Sequence, residues 1–397
     1  MDYQLIATTT FGIEAVTARE LKALGYEDLK VENGKVEFEG DEMDIAIANT
    51  WLRTAERVLI KVAEFKATTF DDLFEQTKAV DWSDYIPRNG EMHITGKSIK
   101  SALFSVPACQ AIVKKAVVKS MQRTYNQEMF PEDGPKYKIE VALLKDVVTL
   151  SIDTSGPGLH KRGYRTDAGE APLKETLAAS LVMLAQWNYE RVLVDPFCGS
   201  GTILIEAAMI GRNMAPGLNR HFVCEDWPSM EPEVFQQVRD SAKKAIKDRN
   251  LRLMGYDIDG WVLKKARVNA ENAGVAEFIE FHELDFYDFS SKNKYGYLIT
   301  NPPYGERIGE EEEVFKLNRQ LGIMKKKLDT WDFNVFTSFS NFEKAFGKAS
   351  DKNRKLYNGR ILTRYYQYLD NDLRQKMRAA RKSAEAAAAS LEEKNAN

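Results

Sequence analysis

Four short segments of this 397-residue chain combine reactive side chains with the backbone freedom that chemistry needs. In RVLVDPFCGSGT an apolar run reaches Asp195, Pro196 and Phe197. There follows a loop in which Gly199 and Gly201 let backbone N–H groups come close to a ligand, while Ser200 and Thr202 lead into an apolar helix. A triphosphate-binding loop would end in Gly-Lys-Ser/Thr, but here Thr202 follows Gly201 directly, which disfavours a triphosphate. In GYDID, Asp257 precedes Ile258 at the tip of a second strand, where an acid accepts hydrogen bonds from both hydroxyls of a ribose. In LDFYDF, Asp285 and Phe286 could hold an adenine by its amine and its ring face. Each segment alone also has a plain reading: a tight turn for the glycine loop, and a helix cap for Asp257 or, with more reason, Asp259.

The fourth segment, TNPPYGER, places Asn301, Pro302, Pro303 and Tyr304 directly after a strand. Two prolines remove backbone donors and stiffen the turn, leaving carbonyls and the Asn301 amide oxygen as acceptors. Such an array suits a planar exocyclic amine. When that nitrogen attacks a methyl carbon it gains positive charge, and its N–H bonds to Asn301 and the Pro302 carbonyl strengthen. Tyr304 can stack on the base and align it. A rigid turn is the bland alternative for this run, and four such strand ends in order weigh against it.

The elements that must position these residues alternate. Strands RVLVDPF, LRLMGYDID, EFIEFHE, YGYLIT and FNVFTSF are separated by helical stretches, which predicts a parallel, doubly wound sheet. RKLY and RILTRYYQYL flank Asn358-Gly359, so the sheet should end in a hairpin that forces one antiparallel strand. Upstream, residues 1–66 read as β-α-β-β-α-β with a hairpin at Asn33-Gly34, the ferredoxin-like order. A second α/β unit covers 67–155, and the sheet-forming remainder 156–397, including a helical alanine-rich tail. Between Arg88 and Arg123 the cations Lys97, Lys100, Lys114, Lys115 and Lys119 face a single acid, Glu91, which suits either phosphate contacts or a solvated helix face. LHKRGYR adds Lys161, Arg162 and Arg165.

Composition narrows the classes. Apolar residues make up 44% and charged residues 29% of the chain, the balance of a soluble globular protein, and no apolar run reaches the ~20 residues of a membrane span. The first residues lack the basic and apolar regions of a secretory signal, so a cytoplasmic address is expected. Cys109, Cys198 and Cys224 are too scattered for a disulfide framework, and the four histidines lack metal-ligand spacing, so no metal is expected. A net charge of -3 leaves any nucleic-acid contact to local clusters.

DPFCGSGT, GYDID, the Asp285 segment and NPPYGER resemble the successive motifs of class I S-adenosylmethionine-dependent methyltransferases that act on amino groups. LHKRGYR with APLKETLAASL, behind a ferredoxin-like unit and a THUMP-like unit, resembles the bacterial ribosomal RNA guanine-N2 methyltransferases over nearly the whole chain to about residue 370. That resemblance implies S-adenosylmethionine held by Asp195, Gly199, Gly201 and Asp257 with Asp285 at its adenine. It also implies structured RNA delivered by the THUMP unit, and a flipped guanine of 23S ribosomal RNA at Asn301, Pro302 and Tyr304. The stretch from Arg212 to Asn250 exceeds the ~20 residues that separate these motifs in a dinucleotide fold. No second methyltransferase unit follows, so a dual activity like that of the fused enzyme is not expected. Competing readings are a transfer RNA guanine-N2 enzyme, an adenine-N6 DNA enzyme, and an RNA-binding assembly factor with a vestigial sheet; the oligomeric state is open.

Overall fold

A computed structural model of the chain describes residues 2–165, 173–304 and 311–370. The chain divides into two compact units, Met1–Asp167 with Lys174–Ser180 and Arg212–Asp248, and Ala168–Leu173 with Leu181–Gly211 and Arg249–Asn397.

The first unit opens with β1 (Tyr3–Thr9), α1 (Glu14–Ala23), β2 (Lys30–Glu32), β3 (Lys35–Gly40), α2 (Glu42–Trp51) and β4 (Ala55–Lys66). Gly34 turns the β2–β3 hairpin at φ +78, a conformation that only glycine adopts freely. Reciprocal side-chain caps, Asp41 with Asp44, start α2. Next come α3 (Phe70–Ala79), β5 (Glu91–Ile99), α4 (Val106–Tyr125), β6 (Lys136–Leu144) and β7 (Val147–Asp153). Their strands do not form a separate sheet. β4 pairs antiparallel with β7, so all seven join in the order β2-β3-β1-β4-β7-β6-β5, with β5 and β6 parallel.

The second unit takes up the later half of α5 (Glu175–Ala185), then β8 (Leu193–Asp195) and α6 (Thr202–Gly211). The chain next makes an excursion that carries α7 (Pro232–Lys244), and returns through β9 (Leu253–Asp257), α8 (Gly260–Asn272), β10 (Ile279–Glu283) and β11 (Tyr297–Thr300). Helix α9 (Glu311–Lys327), β12 (Asp332–Thr337), α10 (Phe342–Phe346), β13 (Lys352–Asn358) and β14 (Ile361–Tyr368) complete it. The sheet order is β10-β9-β8-β11-β12-β14-β13, parallel from β10 to β12 and antiparallel at β14 and β13. Every residue of β11 and β12 is buried, as expected of strands covered by helices on both faces. The terminal hairpin forms where its sequence predicts, but the turn falls one residue later: Asn358 still pairs with Ile361, and Gly359, at φ +60, and Arg360 make the turn. The expected tail helix lies outside the described residues.

The excursion between Arg212 and Asp248, whose contacts the sequence does not reveal, belongs to the first unit. Trp227 stacks on Tyr137 with ring centres 4.7 Å apart and donates from Nε1 to the Lys136 carbonyl at 2.9 Å. Phe235 and Val238 of α7 enter the same core. The Gly217 N–H donates to the Thr50 carbonyl at 2.9 Å, and a Cβ there would lie 2.7 Å from Thr50 Cα, so the backbones meet where a side chain has no room. The Arg220 guanidinium donates to the carbonyls of Ser155 and Gly158, gathering the segment that follows β7.

Candidate active site

The parallel strands end on one edge of the second sheet, and the expected motifs stand at those ends. β8 delivers Asp195, which is 1% exposed. Its Oδ1 accepts from the Thr300 hydroxyl at 2.6 Å and from the Phe197 N–H at 3.1 Å. Burial pushes its carboxyl up to about 7, opposed by those two hydrogen bonds and aided by the charge on Asp257. Asp195 is therefore an internal brace joining the ends of β8 and β11, not an exposed ligand. Pro196 beside it is buried.

The glycine loop is held from below and from the side. Gly199 donates its N–H to Asp257 Oδ2 at 2.9 Å, and Asp257 Oδ1 accepts from the Asp259 N–H at 3.0 Å. Asn269 of α8, 4% exposed, donates to the Ser200 carbonyl at 3.1 Å. Ser200 and Thr202 hydroxyls lie 3.3 Å apart, and Cys198 donates its N–H to the Tyr256 carbonyl at 2.9 Å. The two glycines differ in purpose. Gly201 has φ +79, and a Cβ there would press on Phe281 at 3.0 Å and Ala266 at 3.3 Å, so it allows loop and helix to pack. Gly199, φ +53, faces open space, with nothing within 4 Å of a Cβ. Burial pushes the Cys198 thiol upward, so it packs and does not react.

Beyond Asp257, Ile258 is 68% exposed, an apolar side chain presented at the strand tip. Asp259 caps α8, accepting from Trp261 N–H at 2.8 Å, as expected. Asp285 accepts from the Tyr287 N–H at 2.9 Å and is partly exposed. Phe286, expected to offer its ring to an adenine, is 4% exposed and packs against Phe197 at 4.7 Å between ring centres. The Phe286 ring is thus turned into the core beside Phe197 and not toward a ligand as the sequence reading expects, while Ile258 presents an exposed apolar side chain. At the end of β11, Asn301 is half-buried, Pro302 buried and Pro303 exposed, and the Tyr304 hydroxyl donates to Asn301 Oδ1. The GER of NPPYGER lies outside the described residues.

Two residues the sequence reading missed, Thr300 and Asn269, tie the site together. Thr300 has a signal, since it immediately precedes NPPY; Asn269 has none, because its role depends on α8 packing beside the loop.

The basic residues separate into two sorts. Lys100, Lys115, Lys119 and Lys161 are exposed. Lys97 is exposed and pairs with Glu140 at 2.8 Å, and Lys115 lies 5.7 Å from the centre of the Phe74 ring. Three others are engaged by partners within the fold, Lys114 while part-exposed and Arg162 and Arg165 with little exposure. Lys114 pairs with Glu132 at 2.6 Å and donates to the Met92 carbonyl at 2.7 Å. Arg162, 4% exposed, donates to the carbonyls of Leu159 and Arg53. Arg165 pairs with Glu175 at 3.5 Å. A buried guanidinium must find acceptors within the fold, and Arg162 finds two carbonyls. Among the described residues no cluster of His, Cys, Asp and Glu could hold a metal, and no helix is long and apolar enough to cross a membrane.

A seven-stranded sheet with an antiparallel end, carrying a glycine loop, an acid at the second strand and NPPY at the fourth, defines a class I methyltransferase. Three family models match the chain: an RlmL ferredoxin-like domain over residues 4–59, a THUMP domain over 67–153, and an RMKL-like methyltransferase domain over 162–367. The chain belongs to this RMKL-like methyltransferase family. It is 50% identical over 386 residues to "Putative RNA methyltransferase YpsC" of Bacillus subtilis, covering 96% of this chain and 99% of that protein. It is 35% identical to the "Ribosomal RNA large subunit methyltransferase K/L" of a Marinomonas species, covering 92% of this chain but only 52% of that longer protein. Among solved structures, it matches "a possible methylase from Clostridium difficile 630" with TM-score 0.90 and 49% identity, covering 93% of this chain and 98% of that one. It also matches SMU.472, "a putative methyltransferase complexed with SAH", with TM-score 0.88 and 43% identity, covering 93% and 98%.

The cofactor is thus S-adenosylmethionine, and the residues fit it. The loop is open at Gly199, the Asp257 carboxylate stands at the strand tip, and Ile258 offers an exposed apolar face beside it.

Proposed function

We propose that this protein methylates the exocyclic N2 of a guanine in large-subunit ribosomal RNA. The observation that carries the reading is the Asp195–Thr300 hydrogen bond, which locks the cofactor loop and the NPPY turn onto adjacent strand ends. Support comes from the match to a ribosomal RNA methyltransferase over most of this chain, and from the THUMP and RlmL-type domains ahead of the sheet.

Asp257 would hold the ribose hydroxyls, the Gly199 loop the amino-acid end, and Ile258 with Asp285 the adenine. Bound S-adenosylmethionine would supply an electrophilic methyl carbon, whose bond to sulfur breaks as the bond to nitrogen forms, leaving the uncharged thioether S-adenosylhomocysteine. The chain's own residues do the rest. Asn301 Oδ1 and the Pro302 carbonyl accept the two N–H bonds of the target amine and fix its plane. As the nitrogen forms its new bond and gains positive charge, these acceptors bind it more tightly, so they favour the transition state over the ground state. The amine's excess proton is acidic enough to leave to solvent, and no strong base is required. Tyr304 holds the Asn301 amide by its hydroxyl and lies three residues along the same turn, where its ring can meet a flipped base.

The test is to incubate the protein with labelled S-adenosylmethionine and undermethylated ribosomal RNA, transfer RNA or duplex DNA, then digest and identify the product. N2-methylguanosine from large-subunit RNA is expected. The same nucleoside from transfer RNA alone, or N6-methyladenine from DNA, would overturn the substrate; no methylated product from any of them would overturn the activity.

A further inference from the structure

The terminal hairpin does more than close the sheet. Pairing between β12 and β14 stops at Thr337↔Arg364, yet β13 and β14 continue together through Leu356↔Thr363, Tyr357↔Leu362 and Asn358↔Ile361. At ~3.4 Å per residue, the three pairs beyond the last β12 partner carry the hairpin roughly 10 Å further as an overhang, the first of them, Leu356 with Thr363, still buried. β14 runs antiparallel to β12, and β12 is parallel to β11, so the overhang rises past the edge on which β11 ends at Thr300. Strands sit ~4.8 Å apart, which puts β14 about 10 Å sideways from β11 and Asn301. It stands on the side of β11 away from β8, β9 and β10, the strands that carry the cofactor residues.

The overhang has a marked chemistry. From Lys352 to Arg364 there are five cations and no acid. Opposed residues of a strand pair share a face, so Tyr357, Leu362, Lys355 and Arg364 stand on one face of the hairpin. It is the face on which Tyr366 and Tyr368 pack against Phe342 and Phe346 lower down, the face that α9 and α10 cover. The NPPY turn leads into α9. Lys355 Nζ lies 5.7 Å from the centre of the Tyr357 ring, and Leu362 is 50% exposed. The nearby acids are already engaged: Glu343 accepts from Ser350 at 2.7 Å, and Asp351 from the Leu369 N–H at 2.8 Å.

We propose that this overhanging hairpin is the docking surface for the single-stranded RNA that flanks the target nucleotide, with a neighbouring base on Tyr357 and Leu362 and backbone phosphates on Lys355, Arg360 and Arg364. An aromatic ring among cations is how proteins grip single strands irrespective of sequence. The inference rests on the RNA reading above and adds a second RNA-binding region to it. Cations on an edge strand also discourage edge-to-edge pairing, so the test has to read RNA and not stability.

The probe is a large-subunit ribosomal RNA transcript, titrated at several salt concentrations against wild type, K355A/R360A/R364A, Y357A and Y357F. Affinity for S-adenosylhomocysteine and the melting temperature, both expected unchanged, report on the fold and the cofactor site. The triple variant should lower the slope of log K against log salt by about 0.7 for each phosphate it no longer neutralises, up to about two. Y357A should weaken binding by roughly tenfold and Y357F should restore it. If wild type yields N2-methylguanosine while all variants bind RNA and turn over as wild type does, the hairpin is not the docking surface. If wild type neither binds nor methylates RNA, the functional reading itself fails and the hairpin proposal falls with it.

Discussion

Replacing Asp195 by asparagine separates the two tasks of the brace. Both hydrogen bonds to this residue end on Oδ1, from Thr300 and from the Phe197 N–H, and an amide oxygen can accept both. What the amide lacks is the titration. The carboxyl's ordinary value is 3.8, and burial holds it at about 7 in the folded protein. Between those limits the native state keeps a proton that the unfolded chain releases. Stability from this group is therefore complete below about pH 3.8, falls as pH rises toward 7, and is flat above. The full interval of about three pH units corresponds to roughly 4 kcal/mol, and the part between pH 5 and pH 8 to about 3 kcal/mol. D195N does not titrate there, so its stability relative to wild type should improve by about that much as pH is raised from 5 to 8. Urea midpoints followed by circular dichroism at pH 5, 6, 7 and 8 measure the gap. A gap that stays constant across the series would refute the picture of a buried, reluctantly ionised Asp195.

Four other outcomes follow from the same geometry. N301A should leave S-adenosylhomocysteine affinity within about twofold, by calorimetry, while turnover falls by roughly a hundredfold or more; loss of cofactor binding instead would reverse the division of roles. G199A should abolish cofactor binding with about 1 kcal/mol lost in stability, because space at this position is open but φ is +53. G201A should cost more stability than G199A, since its Cβ must displace Phe281 and Ala266, which thermal melting will rank. N269L should weaken cofactor binding and lower stability by about 1–2 kcal/mol because the Ser200 carbonyl is left without its donor, with Thr300 and Asn301 untouched.

The placement of the candidate residues at the strand ends was legible because their motifs are local. A glycine loop, an acid and a proline pair act within a few residues of a strand end, and a parallel sheet gathers strand ends automatically. Which cations find partners within the fold was not legible. Lys114, Arg162 and Arg165 share composition with Lys115, Lys119 and Lys161, and only the positions of Glu132, the Arg53 carbonyl and Glu175 separate them. Phe286 turns inward for a similar reason: Phe197, which it packs against, is 89 residues away in the chain.

Period-two and period-3.6 patterns, Asn-Gly turns and motif order were enough to determine the element sequence, the parallel sheet with its antiparallel end, and which motifs stand at the strand ends. These signals reside in a residue and its near neighbours. Tertiary structure alone decided that β4 and β7 join two small units into one sheet, that residues 212–248 pack on the first unit, and that Asp195 is a buried brace. Each of these depends on a desolvation or a hydrogen bond between segments far apart in the chain, from 65 residues for Arg220 and Ser155 to 167 for Gly217 and Thr50, and no local pattern encodes which distant group will arrive to satisfy it.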